Sequence, residues 1–123
     1  MRDHTSLVAW QRARIVSLAV ISLSRQYWSP PAAALFSQLQ RSSLSAQLNI
    51  AEGFALAGPA LFRRHLRIAY GSAVETTDLL LLMKDTGLIA EKVLSAPIAT
   101  SRETCRLILG LLRSLETAGP LGR

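Results

Sequence analysis

Lysine is nearly absent from this chain of 123 residues, with two against twelve arginines. Cysteine is scarcer still. Cys105 stands alone, which excludes an intrachain disulfide and any multi-cysteine metal cage and suits a reducing, cytoplasmic setting. Aromatic residues make up 6% of the chain, too few for a row of stacking platforms of the kind that single-stranded nucleic acid needs. Only 18% of the residues are charged, against about a quarter in an ordinary soluble domain. Histidine is limited to His4 and His65, in separate segments. No Glu-x-x-His occurs, and a di-iron bundle needs that motif twice. We therefore expect no metal, no cofactor and, with no nucleophile, base and orienting group placed together, no catalysis.

Long apolar runs are missing too. The longest without a charge is Ile15 to Ser24, about half of the ~20 residues that a spanning helix requires. Arg12 and Arg14 ahead of that run give it the outline of a signal peptide, but Asp3 and the long approach to the run argue against one. No membrane association is expected.

What is present is apolar and basic. Half of the residues are hydrophobic, and with so little charge to keep a small domain wet, another chain is expected to cover part of its surface. The 14 basic and 8 acidic residues leave +6 at pH 7, and arginine grips phosphate bidentately, so polyanions are the favoured partners.

Proline and glycine divide the chain into four pieces, each with the three-and-four spacing of a helix face. Ala9, Ala13, Val16, Val20, Leu23 and Tyr27 predict a helix over 6–26. Ser29 before Pro30 and Pro31 reads as its successor's N-cap, with Leu35, Leu39, Ala46 and Ile50 on one seam and Gly53 as the stop, giving 31–52. Phe62, Leu66, Ala69, Ala73, Thr76, Leu80 and Met83 alternate by four and three up to Gly87, giving 60–86. A weak turn over 90–94, Pro97 and a Thr100–Glu103 capping box then precede Cys105, Ile108, Leu112 and Leu115, giving 101–117.

Four such helices with short connections predict a single all-α domain over 1–123, an antiparallel up-down-up-down bundle about 30 Å long. Folding the second helix back on the third places Ser42 and Ser43 opposite Gly71 and Ser72, where small residues admit close approach. The same register brings Arg41 and Gln38 near Glu75, a carboxylate between Ile68 and Leu79 that is expected to be half-buried and to pair with Arg41. Asn49, Glu52 and Gly53 fit a helix-ending motif, with a binding face as the other reading.

The residues themselves resemble a known family. The stretch from Ser37 to Phe54, with Asn49-Ile50-Ala51-Glu52-Gly53, and the stretch from Phe62 to Glu75, with Gly71-Ser72-x-x-Glu75, look like the bacterial four-helix proteins encoded in intervening sequences of 23S ribosomal RNA genes; Trp10 falls in the same order. The likeness spans residues 7–89. It implies a homopentamer of four-helix bundles around a central channel, no known catalysis and association with RNA. The accessory proteins of diversity-generating retroelements are similar, and they engage a reverse transcriptase and nucleic acid, so a nucleic-acid-processing protein is a further partner that the resemblance implies.

Charge placement separates an RNA-binding oligomer from a protein-interaction scaffold with incidental charge. The bundle arrangement collects Arg2, Arg12, Arg14, Arg63, Arg64, Arg67, Arg113 and Arg123 at one end against Asp3, Glu52 and Glu116, while the other end holds five cations, Arg102 and Arg106 among them, against four carboxylates that include Glu103. Arg12, Arg14, Arg63, Arg64 and Arg67 are the candidate phosphate contacts. The last three crowd the start of the third helix, where the macrodipole disfavours cations. Ile15, Leu18 and Ile21, together with the run Leu79–Met83, exceed what one bundle can bury, which predicts a second interface and an obligate homo-oligomer.

Overall fold

The computed structural model describes residues 3–56 and 58–122, with side chains to Glu116; Arg2 and Arg123 of the charge count lie outside it. It is the four-helix, all-α bundle that the periodicity predicts, with no strand among the described residues. A 3-10 turn, His4–Ser6, leads into α1, Val8–Tyr27. A second, Pro30–Ala32, leads into α2, Ala33–Ala55; α3 is Pro59–Thr86 and α4 is Glu91–Gly122. No helix among the described residues is long and apolar enough to cross a membrane.

Three ends differ from the sequence reading by three residues or more, one of them the end of α4, which continues to Gly122 rather than stopping at 117. Gly53 does not stop α2 but lies buried within it, and the helix closes at Leu56, whose amide bonds the Glu52 carbonyl. The turn is made at Gly58, which takes φ 101°, a value that only glycine adopts freely, just ahead of Pro59 at the start of α3. Gly87 ends α3 in the left-handed conformation, φ 74°, as a C-terminal glycine should. The larger departure is α4, which begins ten residues early and runs through Pro97. Proline there removes one backbone bond, at a cost of up to about 3 kcal/mol. Burial of Leu94 and Ile98 among Val20, Leu23, Leu80 and Met83 offsets it. Thr100 is therefore no cap; its carbonyl accepts from the Thr104 hydroxyl one turn on.

The core has two apolar halves. At the end where α1 finishes, Val20, Leu23, Phe36, Leu39, Leu80, Met83, Leu94 and Ile98 pack together. At the other end the fillers are small, with Ala9, Ala13, Ala46, Ala69 and Ala73 around Ile50, Leu66, Ile108 and Leu112. Between them lie the buried hydroxyls of Ser17, Ser42, Ser43, Thr76, Ser101 and Thr104. Thr76 Oγ1 donates to Ser42 Oγ at 2.7 Å, Thr77 Oγ1 meets Ser101 Oγ at 2.6 Å, and Ser17 Oγ donates to the Ser43 carbonyl at 3.3 Å. No buried side-chain polar atom among the described residues lacks a partner, which removes the penalty for this polar waist. Thr104 rather than Cys105 sits in the α4 seam; Cys105 is half-buried, 3.6 Å from Thr77 Oγ1.

Candidate nucleic-acid interface

Three contacts fix how the helices align. Ser17 meets Ser43, Asn49 meets His65, and Arg12 meets Glu103. The start of α1, the end of α2, the start of α3 and α4 from Glu103 onward thus share one end of the bundle. Glu103 and Arg106 belong to this end, not to the opposite one: Arg106 lines a cleft with Ser6, Leu7, Val8 and Ala9. The described residues here comprise Arg12, Arg14, Arg63, Arg64, Arg67, Arg106 and Arg113 against Asp3, Glu52, Glu103 and Glu116. The other end has Arg25, Lys84, Lys92 and Arg102 against Asp78, Asp85 and Glu91. The excess of positive charge is concentrated where the α2–α3 turn lies.

The five candidate arginines are brought to this end, but they are not equivalent. Arg12 Nε is 3.1 Å from Glu103 Oε1, both side chains partly exposed, so this guanidinium is already engaged. Arg14 is exposed on α1. Arg64 and Arg67 are exposed and Arg63 is half-buried, and no carboxylate among the described residues pairs with any of the three. Because α3 starts at Pro59, Arg63 and Arg64 stand in its second turn, and the macrodipole opposes them less than a first-turn position would.

The residues singled out at the α2–α3 crossing come together differently from the expected register. Ser42 meets Thr76, and Ser45 Oγ lies 2.8 Å from Ser72 Oγ, a shift of about one helical turn for Ser42. Gly71 is exposed, and a Cβ there would touch nothing, so it is not the close-approach point. Gly53 is: a Cβ on it would lie 2.7 Å from His65 Cβ and 3.0 Å from Phe62 Cδ1. Asn49 Nδ2 donates to the Ser45 carbonyl at 2.9 Å, and Asn49 Oδ1 lies 2.9 Å from His65 Nδ1. Asn49 and Gly53 thus form a helix-crossing motif rather than a helix end, while Glu52 is exposed.

Glu75 is also exposed rather than half-buried, and its carboxylate accepts from Gln38 Nε2 at 2.6 Å. The expected Arg41 pair does not form; Arg41 is exposed on α2, and no carboxylate among the described residues pairs with it. Trp10 is half-buried at this end, edge-on to His4 with ring centroids 5.0 Å apart. Asp3 caps the turn that carries His4, and the Thr5 hydroxyl and then the Thr5 amide donate to its carboxyl and hold it below the usual carboxylate range. His65 is the residue of this crossing that sequence reasoning misses. The signal for it is the spacing of Asn49 and Gly53 on one face, since a hairpin centred on residue 57 puts residue 65 opposite residue 49.

Elsewhere, an open cleft of about 540 Å³ runs along α3 past Gly71, Val74, Glu75, Asp78 and Cys105; its two carboxylates make it a poor host for phosphate. No group of three potential metal ligands occurs among the described residues.

Comparison with known proteins agrees with this architecture. A family model described as 23S rRNA-intervening sequence protein matches residues 5–110. The chain is also similar to a crystal structure from Bacteroides thetaiotaomicron, described as a protein with unknown function from the S23 ribosomal protein family. The two are 22% identical with a TM-score of 0.76, over 85% of this chain and 98% of that one, a likeness of fold. No curated protein matches the chain in sequence.

Proposed function

The chain belongs to the 23S rRNA-intervening sequence protein family, and from that premise we propose that it is a non-catalytic, cytoplasmic homo-oligomer that binds structured RNA or other nucleic acid through its arginine-rich end. The observation that carries this reading is the edge of α3. Arg63, Arg64 and Arg67 lie within two turns with no carboxylate partner among the described residues, on the end that holds the excess charge. Guanidinium groups left without an acidic neighbour suit bidentate contact with phosphate. Sequence selectivity is expected to be weak, because the contacts are to backbone charge and no base-reading element accompanies them.

Assembly is supported by apolar surface on three helices. Ile15, Leu18 and Ile21 on α1, Leu44 and Leu48 on α2, and Ile68, Val74 and Leu82 on α3 all remain exposed. Of the Leu79–Met83 run, Leu80 and Met83 are buried, Leu79 and Leu81 half-buried, and Leu82 is 49% exposed. Patches on different faces favour a cyclic arrangement, which repeats the arginine edge once per subunit; five subunits is the number the family resemblance implies. The same patches favour the second reading, a protein-interaction scaffold whose charge is incidental. Mobility-shift titration against a structured RNA and a duplex DNA at several salt concentrations, with the mass from light scattering, separates the two. Salt-sensitive binding by an oligomer is expected. A protomer of about 13 kDa at micromolar concentration, or no shift at about 50 mM salt, contradicts the proposal.

A further inference from the structure

We propose that Gly53, Asn49 and His65 form a lock that positions the arginine edge of α3 without touching the ligand; its functional consequence rests on the phosphate-binding role proposed above, its mechanics on geometry alone. Among the described residues, the start of α3 has no other polar fixing. Gly58 at its N-cap makes no side-chain cap bond, and the first turn carries no acidic residue. Beyond its apolar packing on α2 and α4, what fixes it is the notch in α2. The absent side chain of Gly53 makes a notch into which the His65 backbone settles so closely that a methyl group at Gly53 would stand 2.7 Å from His65 Cβ. That atom is rigidly tied to the α3 backbone and cannot rotate away.

Inside the notch the ring is oriented. The Asn49 amide spends its NH₂ group on the Ser45 carbonyl, which leaves Asn49 Oδ1 as an acceptor, so His65 Nδ1 carries the proton between them. Phe62 packs edge-on to Phe54, ring centroids 5.9 Å apart, and steadies the same turn. Each residue of an α-helix turns about 100° from the last. With residue 65 held against α2, Arg64 and Arg67 must face outward, and both are exposed. The lock therefore sets the rotation and distance of the residues that would meet phosphate.

The test is Gly53→Ala in the full-length protein. Alanine favours the helical backbone over glycine, so any loosening comes from the α2–α3 approach. Amide hydrogen exchange over residues 62–67 is expected to accelerate relative to residues 80–83. Against an RNA hairpin as probe, the slope of log affinity on log salt is expected to become shallower by about one unit, the equivalent of one phosphate, although no arginine has been removed. A variant that merely lost stability would retain the parent slope for its folded fraction. Asn49→Ala, which keeps the notch and removes the bond to His65, should shift both readouts in the same direction, and it carries the comparison if Gly53→Ala loses its helical circular dichroism. Unchanged exchange over residues 62–67 overturns the lock, and faster exchange with an unchanged slope overturns its functional role. If the parent protein binds no RNA at about 50 mM salt, the phosphate-binding role fails by itself and the exchange measurement still decides the lock.

Discussion

Replacing Leu66 with alanine separates the two halves of the core. Leu66 is fully buried and lies in the cluster that contains Ala9, Ala13, Ala46, Ala69 and Ala73. Truncation removes three carbons' worth of apolar burial, about 2.4 kcal/mol at about 0.8 kcal/mol per CH₂. The void then matters. Alanine has no rotamer with which to fill it, and residual volume costs about 24 cal/mol per Å³, so a void of about 90 Å³ adds about 2 kcal/mol. The total, about 4 to 5 kcal/mol, is at the upper end for such a change. Leu80 is equally buried, but its cluster contains Met83, Leu23, Phe36 and Leu94, flexible or long side chains able to move into the space. Leu80→Ala is expected to cost about 3 kcal/mol. Urea unfolding followed by circular dichroism measures both, at matched protomer concentration so that any assembly term is common to the two. Equal losses, or a larger loss at Leu80, would refute the reasoning that small neighbours keep the cavity open.

Other consequences are smaller. In a double-mutant cycle, Arg41→Met and Glu75→Gln should show no coupling, whereas Gln38→Ala and Glu75→Gln should couple by no more than about 1 kcal/mol, as for other exposed pairs; strong coupling of Arg41 to Glu75 contradicts the geometry. Pro97→Ala restores a missing backbone bond in α4 and should raise stability by about 1 to 3 kcal/mol in thermal or urea unfolding, and a loss would mean that the ring packs better than its backbone cost. Asp3 titrates below its ordinary value of 3.8 because Thr5 donates to the ionised form. Its contribution to the His4–Ser6 turn is therefore present above that value and lost as the pH falls through the lower folded value. Proton resonances of His4 and Trp10 should report the turn loosening only in that acid range, and loosening nearer neutrality would assign it to another group.

The four-three alternation of α3 marks its limits to within one residue, because a seam of Leu66, Ala69, Ala73, Thr76, Leu80 and Met83 needs no tertiary knowledge to be read. The start of α4 does not yield to the same reading, since proline argues locally for a break and only the burial of Leu94 and Ile98 against other helices overrides it. Gly53 misleads for a related reason. A glycine near a helix end signals a left-handed stop unless a second backbone needs its space, and that backbone belongs to α3. Once α2 is taken past Gly53 and α3 begun at Pro59, the hairpin moves along the chain, and Ser42 meets Thr76 in place of Gly71 and Ser72. The sorting of the five candidate arginines to one end follows from helix direction alone, whereas Arg106 joins them only because α4 starts at Glu91 rather than near residue 101. Which of the five is engaged does not follow from direction: Glu103 reaches Arg12 only because α4 lies beside α1 at that level.

The central claim, that the arginine edge of α3 grips phosphate, is tested most directly by fluorescence-anisotropy titration of a labelled RNA hairpin from about 50 to 200 mM salt. The titration is run with the parent protein and with the combined variant Arg63→Gln, Arg64→Gln, Arg67→Gln. The expected result is salt-sensitive binding by the parent, and in the variant weaker binding with a salt slope reduced by about one for each phosphate no longer gripped, at unchanged oligomer mass. Equal affinity and equal slope in the two proteins would contradict the claim and leave the scaffold reading in its place.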